Sequence, residues 1–374
     1  MRSIGIVSHL YQGESIIFCL EKGITHPLYC KSPTLPIHAK VVFECEIDDD
    51  TFESGEKVYV SSIVAVGASV YDSTDDDEML RHMYQFEEIQ IEDVCKEDPF
   101  TRRHLEDLFV CTIDPSGSKD LDDALSIRDD TLYVHIADVV SYFAHDIETL
   151  TQRIFPRGNT IYLRHSNIPM IGGMLANDVI SLLPGATKRA ITLEFDLSSL
   201  TLKDVYPSCI RNSYQLCYED VDSVLDGTLH EDERVNRLVD GLKSVYNILH
   251  ARPKIQMNTS SVSHRIIEEI MILANTSIAK KIGEKGVYRF HNKPYSNKAG
   301  YLQRFIGCQT ETFIPLEMNE LCAALDTVPQ RRTVHHLVKH MMSKAVYTQE
   351  ETSHWALHLG HYVHFTSPIR RAAD

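Results

Sequence analysis

The sequence predicts an α+β protein, because short strand patterns come first along the chain and amphipathic helices follow. Four β-branched runs separated by Gly, Pro and Asp lie in the first 70 residues, and further strand patterns lie between residues 108 and 197. Three apolar repeats of helical period follow within residues 232–346. The chain has 374 residues, enough for two or three domains with a sizeable core.

The N-terminal runs predict a small antiparallel β-barrel over residues 1–72. They are GIVSHLY, SIIFCLE, KVVFECEI and KVYVSSIVAV. The stretch STDDDE at 73–78 is typical of a solvated acidic linker, and we expect residues 73–99 to form a connector with helical pieces. Residues 100–374 form the main domain of this prediction.

In the main domain, LFVCTI (108–113) predicts a buried strand that a turn-rich DPSGSKD follows. ALSIR and TLYVHIAD flank Asp129 and Asp130, which is the pattern of a β-hairpin. RAITLEFDL (189–197) predicts another strand. Apolar spacing predicts helices over about 232–250, 264–282 and 331–346.

Charge is unevenly distributed along the chain. The formal net charge is −16, yet residues 251–374 hold 16 Lys+Arg against 10 Asp+Glu. Residues 1–100 hold 7 basic and 20 acidic groups, a net of −13. The basic end is consistent with a surface for a polyanion, and the acidic front with docking a basic protein partner. Solubility alone would explain the same distribution.

Cysteine usage and hydropathy indicate a cytoplasmic protein without a membrane segment. The nine cysteines include no CxxC pair, which favours reduced thiols and argues against a structural zinc site. No apolar run approaches the 18 residues of a membrane span, and the N-terminus lacks the layout of a cleavable signal. Seven histidines crowd residues 335–364 without an HExxH pattern, so we expect packing or surface roles for them.

The segment CTIDPSGSKDLDDALSI places Asp114, Asp120, Asp122 and Asp123 within ten residues. Carboxylates held this close repel one another unless a cation lies among them. Hard oxygen ligands suit Mg²⁺ or Mn²⁺, and such ions activate water and stabilise the leaving oxygen of a phosphodiester. An exposed acidic loop would show the same spacing. A calcium loop is a further alternative, although the EF-hand spacing with its distal Glu is absent.

A family resemblance rests on five segments that follow one another in a fixed order. They are TIDPSGSKDLDDALSI (112–127), RGNTIYLRHSNIPMIGGMLANDVISLLPG (157–185), IIEEIMILANTSIAKKI (266–282), YRFHNKP (288–294) and HWALHLGHYVHFTSPIRRAAD (354–374). Together they resemble the motifs of the ribonuclease II / ribonuclease R family, which includes the catalytic subunit of the exosome. The first matches the signature TIDPxxAKDxDDA, with Ser118 in place of the usual Ala.

The resemblance implies both a fold and an activity. It implies an RNB-type catalytic domain with a mixed sheet and packed helices, preceded by a small OB-like or cold-shock barrel. It also implies a hydrolytic 3′→5′ exoribonuclease that degrades single-stranded RNA with Mg²⁺, or Mn²⁺ as a substitute, and releases 5′-nucleoside monophosphates.

The resemblance further implies which residues act in cleavage. Asp114, Asp120, Asp122 and Asp123 match the metal-binding and catalytic aspartates of the family. Asp122 is expected to be the least replaceable, because its counterpart is needed for cleavage more than for RNA binding. Arg370 matches the arginine that binds phosphate, and a guanidinium fork fits phosphate oxygens and offsets transition-state charge.

Further matches predict contacts with RNA. Tyr162 matches the aromatic on which the 3′-terminal base stacks, although a Tyr in an IYL run would by itself indicate core packing. Arg371 faces either the metal site or the RNA backbone. Glu268 and Glu269 begin the IEExMxxAN helix, where the family uses a glutamate near the terminal sugar. Glu268 is favoured because it shares a helix face with Asn275, while a solvated glutamate pair is the alternative.

Three departures from the family pattern bear on activity. The sequence ends at Asp374, where the family continues through a helix into an S1 RNA-binding barrel, so we expect low RNA affinity and processivity. Ala372 stands where an aromatic is usual, which removes a packing contact beside Arg370. Residues 1–72 have room for one barrel, where bacterial members carry two cold-shock domains.

Three functions therefore remain: an active 3′→5′ exoribonuclease, an RNA-binding or regulatory protein of the same fold with weak or no turnover, and a scaffold whose acidic front docks a basic partner. The four aspartates and Arg370 favour the first, because a protein without catalytic activity gains little from a costly carboxylate cluster.

Overall fold

The structure is a computed structural model, and it divides into two compact units. It describes residues 2–20, 26–31, 34–46, 57–86, 94, 97–250, 261–293, 342–350 and 352–374. The first unit comprises Met1–Gln90 and Thr160–Pro169, and the second comprises Ile91–Asn159 and Met170–Asp374. The domain limits given by the sequence stay a prediction.

Most strands come before the two longest helices along the chain, which is the order expected of an α+β class. The strands are β1 (Arg2–Tyr11), β2 (Glu14–Cys19), β3 (Leu28–Cys30), β4 (Ala39–Glu44), β5 (Val58–Tyr59), β6 (Ser62–Ser69), β7 (Arg103–His104), β8 (Val110–Asp114), β9 (Asp123–Arg128), β10 (Thr131–Ala137), β11 (Ile161–Tyr162), β12 (Asn167–Ile168), β13 (Thr187–Asp196), β14 (Leu202–Cys217), β15 (Tyr288–Phe290) and β16 (Val346–Thr348). The helices are α1 (Asp76–Tyr84), α2 (Ile147–Ile154), α3 (Tyr218–Leu225), α4 (Glu233–Leu249) and α5 (Val262–Ile282).

The first unit is built on a six-stranded sheet in the order β5-β3-β2-β1-β4-β6. Neighbouring strands are antiparallel, except that β3 and β5 run parallel. Burial alternates along β1, as expected of a strand with one face on a core, and Val7, Ile17, Leu28 and Phe43 fill that core. The OB-like β unit expected from the N-terminal runs is thereby confirmed as a sheet, and β3 is an additional strand within it.

The acidic stretch at 73–78 is not a solvated linker, so that prediction is wrong. Helix α1 begins within it, and Asp75 pairs with Lys40 Nζ. Asp77 is 8% exposed and accepts hydrogen bonds from the backbone N–H groups of Arg164 at 2.9 Å and His165 at 2.8 Å. Because charged groups are buried only when they are paired or hydrogen-bonded, this segment belongs to the packed structure of the first unit.

The second unit contains a sheet in the order β13-β10-β9-β8-β14-β7 that closes on itself, since β13 also pairs with β14. β8 and β14 run parallel and the hairpin β9–β10 is antiparallel. Helices α3, α4 and α5 contribute to one buried cluster with the sheet, through residues such as Val221, Val239 and Ile270 against Leu125 and Phe195. The expected strands at LFVCTI and RAITLEFDL and the hairpin at Asp129 are confirmed, as is the mixed α+β class.

Two of the three expected helices are confirmed as α4 and α5. The third was expected over 331–346, and most of that range lies outside the described residues. Its described end is not helical, because β16 begins at Val346 and pairs with β15. Of the helices in the part of the chain that the structure describes, none is both long and apolar enough to cross a bilayer.

Candidate active site

The ends of two parallel strands position the first aspartate. β8 ends at Asp114, which lies opposite Cys217 at the end of β14. A tight turn follows, in which the backbone N–H of Ser118 donates to the carbonyl of Pro115 at 3.1 Å and Gly117 has φ +82°. Glycine adopts this left-handed conformation without the steric cost of a Cβ. The chain therefore reverses at once, and the other three aspartates lie on the returning segment.

The returning segment is fixed by backbone hydrogen bonds on both sides. The N–H of Leu121 donates to Ser181 Oγ at 3.0 Å, and the carbonyl of Leu121 accepts from Leu182 N at 3.1 Å. The carbonyl of Asp122 accepts from Ala137 N at 2.8 Å. Leu121 is fully buried, so it anchors the backbone between Asp120 and Asp122.

Asp122 is the most enclosed of the cluster and contacts the arginine predicted to bind phosphate. It is 4% exposed, and its Oδ1 accepts from the backbone N–H of Ile369 at 2.7 Å. Its Oδ2 accepts from Arg370 Nε at 3.2 Å, while Arg370 Nη2 donates to Ser367 Oγ at 2.9 Å. The SPIRR segment and the DLDD segment thus meet, although 248 positions separate Asp122 from Arg370.

Burial and mutual repulsion raise the pKa values of the aspartates. Burial, then the charges of Asp122 and Asp120, raises the pKa of Asp114 to about 7. Burial, then the charge of Asp114, raises the pKa of Asp123 to about 7. Burial also raises the pKa of Asp122 well above its usual value, against the opposing charge of Arg370. One guanidinium therefore does not neutralise the cluster.

The oxygen donors of the cluster suit a divalent cation by their chemistry, rather than by their spacing in this structure. Asp114 Oδ2 is buried and accepts no hydrogen bond from any residue that the structure describes. A buried oxygen without a donor, among carboxylates that repel one another, is the environment that a hard cation stabilises. The four side chains do not converge tightly: across the described ranges, no three of them bring an oxygen within 4.8 Å of one another.

Replacing Asp114 by Asn should stabilise the metal-free protein by an amount that grows with pH. With its pKa raised to about 7, the folded protein holds a proton on Asp114 at pH 5 that the unfolded chain has released. As pH rises toward 7 this proton dissociates from the folded native chain, and the native chain loses stability that Asp114→Asn does not lose. In EDTA, the melting temperature of Asp114→Asn minus that of the native chain should increase from pH 5 to pH 8.

The control for this measurement is Asp129→Asn, which changes an exposed carboxylate in the β9–β10 turn. Its melting-temperature difference from the native chain should stay constant over the same range. A melting-temperature difference that is also constant for Asp114→Asn would show that the pKa of this carboxyl is not raised in the folded protein.

Asn275 is a site residue whose role the sequence did not reveal. It lies in α5, is 3% exposed, and accepts from the backbone N–H of Phe365 at 2.8 Å through Oδ1. Its Nδ2 donates to Tyr362 Oη at 3.2 Å. It therefore fixes the segment that leads to Arg370. On the same helix Glu268 is exposed and Glu269 is 2% exposed, so the two glutamates have opposite environments.

Tyr218 is a second residue beside the cluster that sequence reasoning missed. It begins α3 directly after β14, and its ring stacks on His264 with centroids 3.6 Å apart. Burial, followed by the charges of Asp123 and Asp114, raises the pKa of the Tyr218 hydroxyl. The signal that could have found it is its position one residue beyond Cys217, at the strand end that lies beside Asp114.

The remaining predicted residues occupy distinct places. Arg371 Nη2 donates to Asp374 Oδ2 at 2.6 Å, so the guanidinium of this arginine forms an ion pair within the protein. Ala372 donates its N–H to the carbonyl of Gly158 at 2.8 Å and packs on a buried apolar cluster. Tyr162 belongs to the first unit, in β11, and is 56% exposed, which excludes the core-packing alternative for its ring.

Comparison with known proteins shows the family to which this chain belongs. The sequence profile of the RNB domain matches residues 102–374. Ribonuclease R of Aquifex aeolicus is 30% identical over 328 residues, which is 76% of this chain and 46% of the relative. Ribonuclease R of Thermotoga maritima is 29% identical over 325 residues, 75% of this chain and 46% of the relative. The chain thus spans less than half the length of these curated relatives.

Solved structures share the fold. Mycoplasma genitalium RNase R superposes with a TM-score of 0.85 at 22% identity, over 100% of this chain and 67% of that one. Yeast Ssd1, described as a pseudonuclease, superposes with a TM-score of 0.76 at 18% identity, over 100% of this chain and 54% of that one. With the domain profile covering nearly three quarters of its residues, the chain belongs to the RNB domain family of ribonuclease II and ribonuclease R.

Proposed function

We propose that this chain is a Mg²⁺-dependent hydrolytic exoribonuclease that shortens single-stranded RNA from its 3′ end and releases 5′-nucleoside monophosphates. The observation that carries the proposal is the contact of Asp122 Oδ2 with Arg370 Nε at 3.2 Å. This contact places an anionic cluster, which suits a metal ion, beside a guanidinium, which suits a phosphate. A bound metal ion and a guanidinium together would offset the negative charge of a phosphodiester during hydrolysis.

In this proposal the cluster holds the ion and Arg370 holds the phosphate. Asp114, Asp120, Asp122 and Asp123 would bind Mg²⁺, or Mn²⁺ in its place, and the ion supplies an activated water and a counter-charge for the leaving oxygen. The Arg370 side chain is 43% exposed, so phosphate oxygens can reach its guanidinium. Its bonds to Asp122 and Ser367 fix its orientation before RNA arrives, which reduces the entropic cost of binding.

The predicted RNA contacts extend beyond the cluster. An exposed ring such as that of Tyr162 can stack on a base of any sequence, which contributes about 1–3 kcal/mol. Arg371 and either Glu268 or Glu269 complete the predicted contacts with the RNA backbone and sugar. RNA as the ligand is supported by the structures of Mycoplasma genitalium RNase R, which contain ribose-methylated single-stranded RNA and double-stranded RNA.

The second candidate function is RNA binding or regulation with weak or no turnover. It is supported by the similarity in fold to yeast Ssd1, a pseudonuclease. All four aspartates and Arg370 are present in this chain, and Asp122 contacts Arg370, which favours the catalytic function. The net charge of −13 over residues 1–100 keeps a basic protein partner for that region as a further prediction.

A single assay separates these functions. The purified chain is incubated with a 5′-labelled single-stranded RNA in Mg²⁺ or in EDTA. A nuclease of this kind should give a ladder of products that shortens from the 3′ end in Mg²⁺ and stops in EDTA, because EDTA removes the ion that would acidify the water and stabilise the leaving oxygen. RNA that is bound but not shortened at any Mg²⁺ or Mn²⁺ concentration would reject the catalytic function and leave the second.

A further inference from the structure

Away from the aspartates, three metal-ligating side chains meet where the edge strand β7 joins the sheet. β7 pairs in parallel with β14, which places His104 opposite Cys209. The backbone N–H of Leu105 donates to the carbonyl of Cys209 at 2.9 Å. Leu105 is 9% exposed and anchors the chain, and its neighbours in sequence, His104 and Glu106, contact each other through their side chains.

The ligand atoms of these side chains are close enough to share one ion. An atom each of His104, Glu106 and Cys209 lies within 4.8 Å of the other two, and the residues that the structure describes contain no second group of this kind. His104 Nδ1 and Glu106 Oε1 are 3.2 Å apart. Ligands in a tetrahedral zinc site, with bonds of about 2.0–2.3 Å, are separated by roughly 3.3–3.8 Å. Small side-chain rotations therefore suffice to close the site.

The chemistry of the three ligands separates this cluster from the aspartates. It offers one imidazole nitrogen, one carboxylate oxygen and one thiol sulfur, whereas the aspartates offer oxygen alone. A thiolate and an imidazole prefer Zn²⁺, and Mg²⁺ prefers oxygen ligands. Cys209 is a free, half-buried cysteine, so its sulfur is available and partly shielded from solvent.

The surrounding charges do not repel a cation strongly. Arg102 and Arg189 are the cations whose charges act on Cys209, and both are paired with Asp98. Arg102 pairs with Asp138 as well, at 2.7 Å. These carboxylates compensate the two guanidinium groups, while Glu106 adds a negative charge on the ligand side. Deprotonation of Cys209 on metal binding would then leave the site close to neutral.

We propose that His104, Glu106 and Cys209 form a zinc-binding site, with water as the fourth ligand. The ion would join positions 104 and 209, and thereby tie the two-residue strand β7 to the long strand β14. This site is independent of the proposed nuclease activity, because it stabilises the sheet and shares no residue with the aspartate cluster. The absence of a CxxC pair therefore does not exclude zinc from this chain.

Cobalt provides a direct test with the purified, reduced full chain. Co²⁺ bound to a thiolate gives a charge-transfer absorption band in the near ultraviolet, and the aspartate cluster gives none because it contains no sulfur. We expect one equivalent of Co²⁺ to give this band, one equivalent of Zn²⁺ to remove it, and Zn²⁺ to raise the melting temperature.

Variants then assign the ligands. Cys209→Ser should lose the band, and His104→Gln and Glu106→Gln should each weaken Co²⁺ binding about tenfold or more, with circular dichroism showing that the fold is kept. Cys217→Ser is the matched control, since it removes another half-buried cysteine of β14 and should keep the band. A band that survives in Cys209→Ser, or no band in the native chain, would overturn the proposal.

Discussion

Replacing Asp122 by asparagine is expected to slow RNA cleavage about 10³-fold or more, which corresponds to roughly 4 kcal/mol of transition-state stabilisation, while RNA binding is retained. The amide oxygen can still accept the hydrogen bond from Ile369 N that Oδ1 accepts now at 2.7 Å. The negative charge that faces Arg370 and would bind the ion is lost. Stacking on Tyr162 does not depend on that charge, and Arg370 keeps its hydrogen bond to Ser367 Oγ, so most of the RNA affinity should remain.

Cleavage is measured as single-turnover shortening of a labelled RNA, and binding as the shift of the same RNA in EDTA. Asp130→Asn serves as the control, because Asp130 is an exposed aspartate in the β9–β10 turn. The Asp122→Asn protein should melt no lower than the native chain, since burial raises the pKa of Asp122 and the folded protein favours a neutral group there. Cleavage at the native rate by a folded Asp122→Asn would refute the assignment.

Local periodicity explains why most strands and helices could be predicted. β8, β9, β10 and β13 alternate or run apolar over five or more residues, and α4 repeats apolar residues at helical spacing. The 16-residue strand β14 was missed although it is the longest. Its outward positions are polar, and Pro207 lies within it opposite Ile191, which weakens any strand pattern.

The acidic stretch at 73–78 shows what composition cannot reveal. Three adjacent aspartates predict solvent exposure when they are considered alone. In the fold, Lys40 lies 35 positions from Asp75 and binds it, and backbone N–H groups some 87 positions away bind Asp77. Such partners are brought by tertiary structure, so no window of sequence contains them.

The same distinction applies to the site. The spacing of Asp114, Asp120, Asp122 and Asp123 is local, so their proximity could be argued from a single turn. Arg370 could be linked to them only through the family resemblance, because nothing in the residues between predicts that it meets Asp122. The role of Asn275, which accepts a hydrogen bond from the backbone N–H of Phe365, follows only from the packing of α5 against the segment that contains Phe365.

Replacing Arg370 by alanine is expected to lower kcat for RNA cleavage about 10²–10³-fold, the range that loss of one preorganised hydrogen-bond donor gives in other hydrolytic sites. The change removes a phosphate ligand and also the cation that opposes the raised pKa values of Asp114, Asp122 and Asp123. Because the loss of this cation raises the pKa values of the aspartates further, the variant should also show a higher pH midpoint for activity.

The matched control is Arg128→Ala, which removes an arginine of the same unit with nearly the same exposure, 44% against 43%, from an ion pair with Asp107. Its rate should stay within about twofold of the native rate, since surface ion pairs contribute little. Arg370→Lys distinguishes charge from geometry: a lysine restores the positive charge but not the fork that spans Asp122 and Ser367. Recovery of less than a tenth of the lost rate would assign the effect to the fork. Full recovery would assign it to charge alone, and an unchanged rate in Arg370→Ala would remove this residue from the phosphate site.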